Sequence, residues 1–400
     1  MLTRIKWLLC TSLVCVAANA VWAQSSLSEF QKALQEKAAF EETDFAALQL
    51  NQPVVRLAPT SDKREIAVSG LVNIRAGAEE FLRSYRESMT RKTNPAVLEI
   101  GSFATQPGVS DLDSLTLDTG DIEDLKDCIV GDCQLKLSAS MIERFRKEID
   151  WNAANYQLAA TNLFKQMLLD YVRDYRTRGE AALIEYNDKR NEVSLAAEQR
   201  ALNAASGYIN GLLGQAKSDL QLAEDSIVWS KIKFGLKPVI AINHVRIYRR
   251  NSDAGPQVLI ASNQIYANHY FNASQALTAF VNIPGGAYMV SENRSRADGL
   301  EGPFGKLKRG VVEKRALEGL KGILERSQAT LGGSALTAST DDLASYQSDG
   351  WGHRLFGGIR PLLWLLVLSA LIALLVLGKR RVDNLAASKA KALKPESAKS

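Results

Sequence analysis

Residues 64–87 read REIAVSGLVNIRAGAEEFLRSYRE, and this stretch decides the fold. Ile66, Val68, Gly70, Val72 and Ile74 fall on one parity, with Ala67, Ser69 and Asn73 on the other, which is the period of a strand with one face buried and the other less so. Arg75 to Gly77 supplies a turn, after which AEEFLRSYRESM takes a helical period with Glu79 and Glu80 favourably placed in the first turn. A strand therefore runs straight into a helix.

Upstream, residues 27–36 and 42–50 have the period of short amphipathic helices, and 53–57 reads as an edge strand. Downstream, 96–103 is a second short strand. From 139 to 222 the period is helical: Leu163, Phe164, Met167, Leu168, Tyr171, Val172 and Tyr175 recur at three and four, as do Ala205, Ile209, Leu212, Leu213, Ala216 and Leu220. A polar turn at 187–191 separates them, so an inserted helical hairpin is expected. The stripe Tyr156, Phe164, Tyr171, Tyr175 reads as a packing face. From 238 the character returns to β in VIAINHVRIYRR, QVLIASNQIYANHYF and AYMVSENRSR, with 274–281 as a further strand of a meander. Residues 304–330 make one long helix whose Leu307, Val311, Leu317, Leu320 and Leu324 are expected to face the sheet. The class is α+β.

The chain ends differ from this middle. Residues 361–377, PLLWLLVLSALIALLVL, carry no charge and are followed by Gly378, Lys379, Arg380 and Arg381. A helix of roughly 17 to 25 apolar residues crosses the hydrocarbon core, so 361–378 is expected to be a transmembrane helix with its basic flank, 379–400, in the cytoplasm. At the other end Arg4 and Lys6 precede an apolar run, and Ala18-Asn19-Ala20 or Val21-Trp22-Ala23 offers a cleavage site, so 1–23 reads as a signal peptide. Cys15 reads as an ordinary apolar position and not a lipid-attachment site. The expected layout is a periplasmic domain over 24–331, a flexible Gly/Ser/Thr/Asp-rich tether over 332–360, and single-pass anchorage in the inner membrane. The net charge of +5 agrees, because the leader carries +2 and the tail +5, leaving 40 basic against 42 acidic residues elsewhere. The basic balance thus reports membrane topology, and no nucleic-acid partner is expected.

Cys10 and Cys15 leave with the leader; Cys128 and Cys133, spaced C-x4-C, are expected to form a disulfide outside the cytoplasm. The acidic stretch over 111–132 places Thr116 where a calcium loop beginning at Asp111 needs glycine, so it reads as a solvated loop with helix-capping aspartates. No metal site and no cofactor is expected.

The order strand, helix, later antiparallel meander and long terminal helix resembles the START-like, helix-grip superfamily. Order of elements alone carries the likeness, over 64–103 and 237–330, interrupted by 111–229. The resemblance implies a sheet curved around the terminal helix, with a lipid or other apolar ligand bound between them and the helical insertion as its lid or plug.

Chemistry is sparse. Of the three histidines, His353 lies in the tether, His269 shares parity with Leu259, Ala261, Ile265 and Phe271, and His244 shares parity with Ile240 and Ile242. Two readings stand. In one, His269, His244 and Asp298 form a general-base site, with Arg294, Arg296 and Tyr270 holding a carboxylate or phosphate. In the other, both histidines are hydrogen-bonded core residues and NRSR is a polar strand end. No G-x-S-x-G, H-E-x-x-H, Walker or dinucleotide pattern accompanies them, so binding is expected before catalysis. The expected partners are the lipid bilayer, an apolar ligand and, alternatively, an envelope protein docked on the helical hairpin. A hydrolase centred on His269 is the remaining alternative.

Overall fold

The computed structural model describes residues 31–332, apart from 33, 37, 91, 93, 95, 207–219, 235–236, 251–255, 284–285 and 302–304. Among the described residues no helix is long and apolar enough to cross a membrane. The expected leader, tether, transmembrane run and basic tail all lie outside them.

An eight-stranded, wholly antiparallel sheet forms the centre. Its strands are β1 (Val54–Leu57), β2 (Glu65–Ile74), β3 (Val97–Phe103), β6 (Gln221–Ile232), β7 (Val239–Arg249), β8 (Pro256–Ala267), β9 (Ala273–Ile283) and β10 (Gly286–Arg296). The order across the sheet is β1-β2-β10-β9-β8-β7-β6-β3. A separate hairpin pairs β4 (Glu185–Tyr186) with β5 (Val193–Ser194). The helices are α1 (Glu42–Gln49), α2 (Ala78–Thr90), α3 (Thr119–Lys126), α4 (Ala139–Glu148), α5 (Tyr156–Arg178), α6 (Leu195–Ala205) and α7 (Gly305–Leu331).

Strand parity divides the core. On one face Val68, Val72 and Ile74 of β2 join Val245, Ile247, Val258, Ile260, Phe280 and Met289 beneath α2 and α7. The Phe81 and Phe280 rings lie 5.3 Å apart, and Leu320 and Leu324 of α7 pack at Gly70, where an added Cβ would fall 2.7 Å from Leu324 Cδ1. Gly70 is the close-approach point that lets α7 sit on β2. On the other face Leu71, Leu277, Ala279 and Val290 pack under Phe45, Leu48, Leu34 and Phe40. Both faces of β2 are therefore buried, where its alternation predicts one buried and one less so. The reason is that α7 covers one face while α1 and the segment carrying Leu34 and Phe40 cover the other.

The rest of that second face is covered by residues 104–205. Leu163, Phe164, Met167, Leu168, Tyr171, Val172 and Tyr175 of α5 are all buried, against Ile227, Trp229, Ile240, Ile242, Ile265 and Tyr266 of the sheet. The predicted stripe on α5 is thus a packing face. The register shifts between Ile242 and Asn243, which pair with Tyr266 and Gln264, so Ile265 is an extra residue on β8. This bulge turns both Ile265 and Tyr266 into the helical layer, and the Tyr171 hydroxyl donates to the Ile265 carbonyl at 2.6 Å.

Two boundaries and one facing residue depart from the sequence reading. The expected helical hairpin over 139–222 is instead α4, α5 and α6, with α5 ending at Gly179 (φ +60°) and β4 and β5 intervening. The second predicted stripe, from Ala205 to Leu220, lies mostly outside the described residues; α6 ends at Ala205, where that stripe starts, and Gln221 begins β6. In α7, Leu320 and Leu324 face the sheet as expected, whereas Leu307 is exposed.

Candidate functional site

Three polar clusters contain the residues that the sequence singles out. The first surrounds the turn between β8 and β9. Strand β8 ends at Ala267, because Tyr270 takes φ +60° and reverses the chain. His269 therefore lies in this turn and not on strand parity. Its flanking asparagines hold the reversal from both sides. Asn268 exchanges bonds with Ile240, N to O at 3.0 Å and Ile240 N to Oδ1 at 2.7 Å. Asn272 donates its backbone N–H to the Arg296 carbonyl at 2.8 Å and its Nδ2 to Asp298 Oδ1 at 2.6 Å.

Across this turn sits Asp121 of α3. His269 Nε2 lies 3.0 and 3.1 Å from the two carboxylate oxygens, so it carries the proton and donates. Lys237 Nζ donates to Asp121 Oδ1 at 2.9 Å and also bonds Asp124, while Asn268 Nδ2 reaches Asp121 Oδ2 at 3.2 Å. Burial pushes the Asp121 carboxyl up, but the hydrogen bonds and charges of His269 and Lys237 outweigh it and hold the group below its usual range. The Tyr270 hydroxyl accepts the Lys237 backbone N–H at 2.9 Å. The acidic stretch is thus not simply solvated: Asp121 is a buried anchor that ties α3 to the turn.

The second cluster lies on the sheet face beneath α6. Glu65, Glu292 and Arg294 are almost fully buried. Arg294 donates to Glu65 and to Glu292, each at 2.5 Å, and Arg296 reaches Glu65 at 3.3 Å, Glu198 at 3.2 Å and Asp62 at 3.3 Å. Arg64 continues the chain of charges to Glu198, Asp62 and Asp298. Burial raises the Asp298 carboxyl, yet Asn272, Lys189 and Lys136 together bring it below its usual range. Both guanidiniums expected to hold an anionic ligand are engaged by carboxylates of the chain itself.

The third cluster joins α5 to β6 and β7. The Tyr175 hydroxyl lies 2.8 Å from His244 Nδ1, and His244 Nε2 lies 3.0 Å from Asp225 Oδ1. A carboxylate only accepts, so Nε2 carries the proton and Tyr175 donates to Nδ1 of a neutral ring. Burial holds the His244 pKa below its ordinary value, with Arg246 and Arg176 adding to it against the opposing pull of Asp225.

The predicted constellation is therefore distributed. In the described structure neither imidazole forms a hydrogen bond or ion pair with the other, with Asp298 or with either arginine. Asp121, Lys237, Glu65, Glu198, Asp225, Arg176 and Arg246 were not legible as site residues, since their partners are remote in sequence. Arg246 alone had a local signal, the parity it shares with His244. Among the described residues no group of His, Cys, Asp or Glu is placed to hold a metal ion.

Cys128 and Cys133 are joined by a disulfide, with Cα atoms 4.4 Å apart. The turn it closes is fixed to the β4–β5 hairpin by Gly131 N–H to the Asn187 carbonyl at 2.8 Å and Cys133 N–H to the Asp188 carbonyl at 2.9 Å. Gly131 needs its glycine, at φ +87°. Compared with known proteins, the chain matches no family model and no curated sequence.

Proposed function

We propose that this chain is an exported, single-pass membrane-anchored domain of helix-grip type that binds a lipid or other apolar molecule between its sheet and α7. The observation that carries the reading is topological. From β2 the sheet runs β2-β10-β9-β8-β7-β6-β3, α2 connects β2 to β3, and the long α7 follows the last strand and packs back on the first. The succession strand, helix, antiparallel meander and long terminal helix supports the START-like reading, with residues 104–220 lying between β3 and β6. The face under α2 and α7 is apolar across β2, β7, β8, β9 and β10. Leu320 and Leu324 seat against Gly70, so a ligand enters by displacing α7 from this contact. Fold likeness alone does not assign a ligand, and the apolar lining is what points to its class. Export and anchorage rest on the leader-like 1–23 and the uncharged 361–377.

Delipidated full-length protein in detergent should take up a fluorescent fatty acid saturably, with displacement by unlabelled fatty acid. Absence of saturable uptake at micromolar ligand rejects the reading.

A second reading, docking of an envelope protein on the helical layer, is favoured by the disulfide-closed turn. Ile129 and Val130 there are about half exposed, at 49 and 45 %, on a rigid support. Preorganised apolar side chains of this kind are inexpensive to bury in an interface. Loss of a co-purifying envelope protein on Ile129→Asp with Val130→Asp would favour it over the first.

A further inference from the structure

We propose that Arg246, two residues from His244 along β7, and Arg176, next to the Tyr175 that bonds His244, form a binding site for a phosphoryl oxyanion. Both guanidiniums have a buried Nε with no hydrogen-bond partner, and neither is ion-paired among the described residues. The neighbouring arginines of α5 are engaged: Arg173 donates to the Pro107 carbonyl at 3.1 and 2.8 Å, and Arg178 is paired with Asp174. A buried N–H left without an acceptor costs free energy that an incoming anion recovers. Two such groups beside one imidazole mark a place where an acceptor belongs.

An opening reaches the Arg176 side of this site. Arg176 lines an open cleft of about 340 Å³ together with Thr105, Gln106, Pro107, Arg173 and Thr177. Guanidinium forks pair with carboxylate or phosphate, and the tetrahedral oxygens of a phosphoryl group present acceptors in more directions than a planar carboxylate, which suits two forks carried on different elements. The Tyr175 hydroxyl is buried and already donates to His244, so it is a positioning group and not a nucleophile.

The site contains its own reporter. His244 is faced by Asp225 from β6, Arg246 from β7, and Tyr175 and Arg176 from α5, with Glu180 acting on Tyr175 from the following turn. An anion that neutralises the two arginines removes what helps to keep this ring deprotonated. Binding therefore raises the His244 pKa, and by reciprocity the site tightens as pH falls.

The test uses full-length protein in dodecyl maltoside micelles with its histidines carbon-13 labelled at Cε1. The chain has only three histidines, so His244→Gln assigns the resonance. Inorganic phosphate should move the His244 signal saturably and raise its titration midpoint. Arg176→Gln with Arg246→Gln should weaken the effect by at least about tenfold, a typical consequence of losing charge-assisted bonds. The same variant should leave the phosphate-free circular dichroism unchanged. A response to micelles doped with phosphatidylglycerol, but not to inorganic phosphate, assigns the phosphoryl group to a lipid headgroup. A His244 signal unmoved by either, or moved equally in the double variant, overturns the proposal.

Discussion

Gly101 of β3 faces Trp229 of β6 directly, and a Cβ added there would lie 2.6 Å from Cε2 and Cζ2 and 2.7 Å from Nε1 of the indole. Ordinary carbon contacts lie near 3.5–4.0 Å, so Gly101→Ala forces the ring to move by about 1 Å. The ring has nowhere cheap to go: Trp229 is 1 % exposed and its Nε1 donates to the Asp111 carbonyl at 2.8 Å, tying the start of the helical insertion to the sheet. Overpacking costs roughly 1–3 kcal/mol and a lost hydrogen bond about 1 kcal/mol, offset by about 0.4–1 kcal/mol of reduced unfolded-state entropy. The net expectation is a loss of about 2 kcal/mol. Gly70→Ala is the matched control. Its Cβ would meet Leu324 Cδ1 at 2.7 Å and Leu320 Cδ2 at 2.9 Å, but these are the ends of flexible side chains that can turn aside. Its cost should stay under about 1 kcal/mol. Urea unfolding of both variants in micelles, followed by circular dichroism, compares midpoints at equal slope. A Gly101→Ala protein as stable as Gly70→Ala, or more so, would show that Trp229 does not clamp the insertion and would refute the reasoning.

Three further outcomes follow from the same interactions. Glu65→Gln leaves Arg294 and Arg296 buried with their shared carboxylate gone, and should cost about 3–5 kcal/mol in the same urea assay; an unchanged midpoint would mean the network is not internally balanced. The Asp121 carboxyl titrates lower in the folded chain than in the unfolded one, so its contribution is fully present above the unfolded value near pH ~4 and is lost as pH falls through the folded value. Asp121→Asn should accordingly flatten the acid limb of a stability–pH curve, and an unaltered limb would remove Asp121 from the account. A phosphatase that is active only outside the cytoplasm should work when fused after Gly332 and fail when fused after Ser400; the reverse pattern would rule out the proposed export and anchorage.

Most of the sheet is legible because its strands carry strong apolar alternation or strong turn signals, as in β2 and in β7 to β10. The α5 stripe is legible for the same reason, all seven of its three-and-four spaced residues being buried. Strand β6 escapes notice because its first half, QLAEDS, has no apolar alternation and no fully buried residue; only Ile227, Trp229 and Lys231 alternate inward. The parity of His269 misleads because β8 ends at Ala267 and the chain reverses at Tyr270, so strand parity does not extend to this residue. Asp121 reads as one solvated aspartate among many, since its partners Lys237 and His269 lie 116 and 148 residues away. The same separation hides the pairing of Glu65 with Arg294, 229 residues apart. Periodicity reports which face is buried, while polar contacts between elements appear only once the chain has folded.

A photoactivatable fatty acid bound to the full-length protein, cross-linked and mapped by peptide mass spectrometry, addresses ligand binding under α7 most directly. Labelling is expected on the face formed by Leu320, Leu324, Phe280 and Val258, and should be competed by unlabelled fatty acid. Labels confined to the exposed surface, or spread evenly and not competed, would contradict a ligand held between the sheet and its terminal helix.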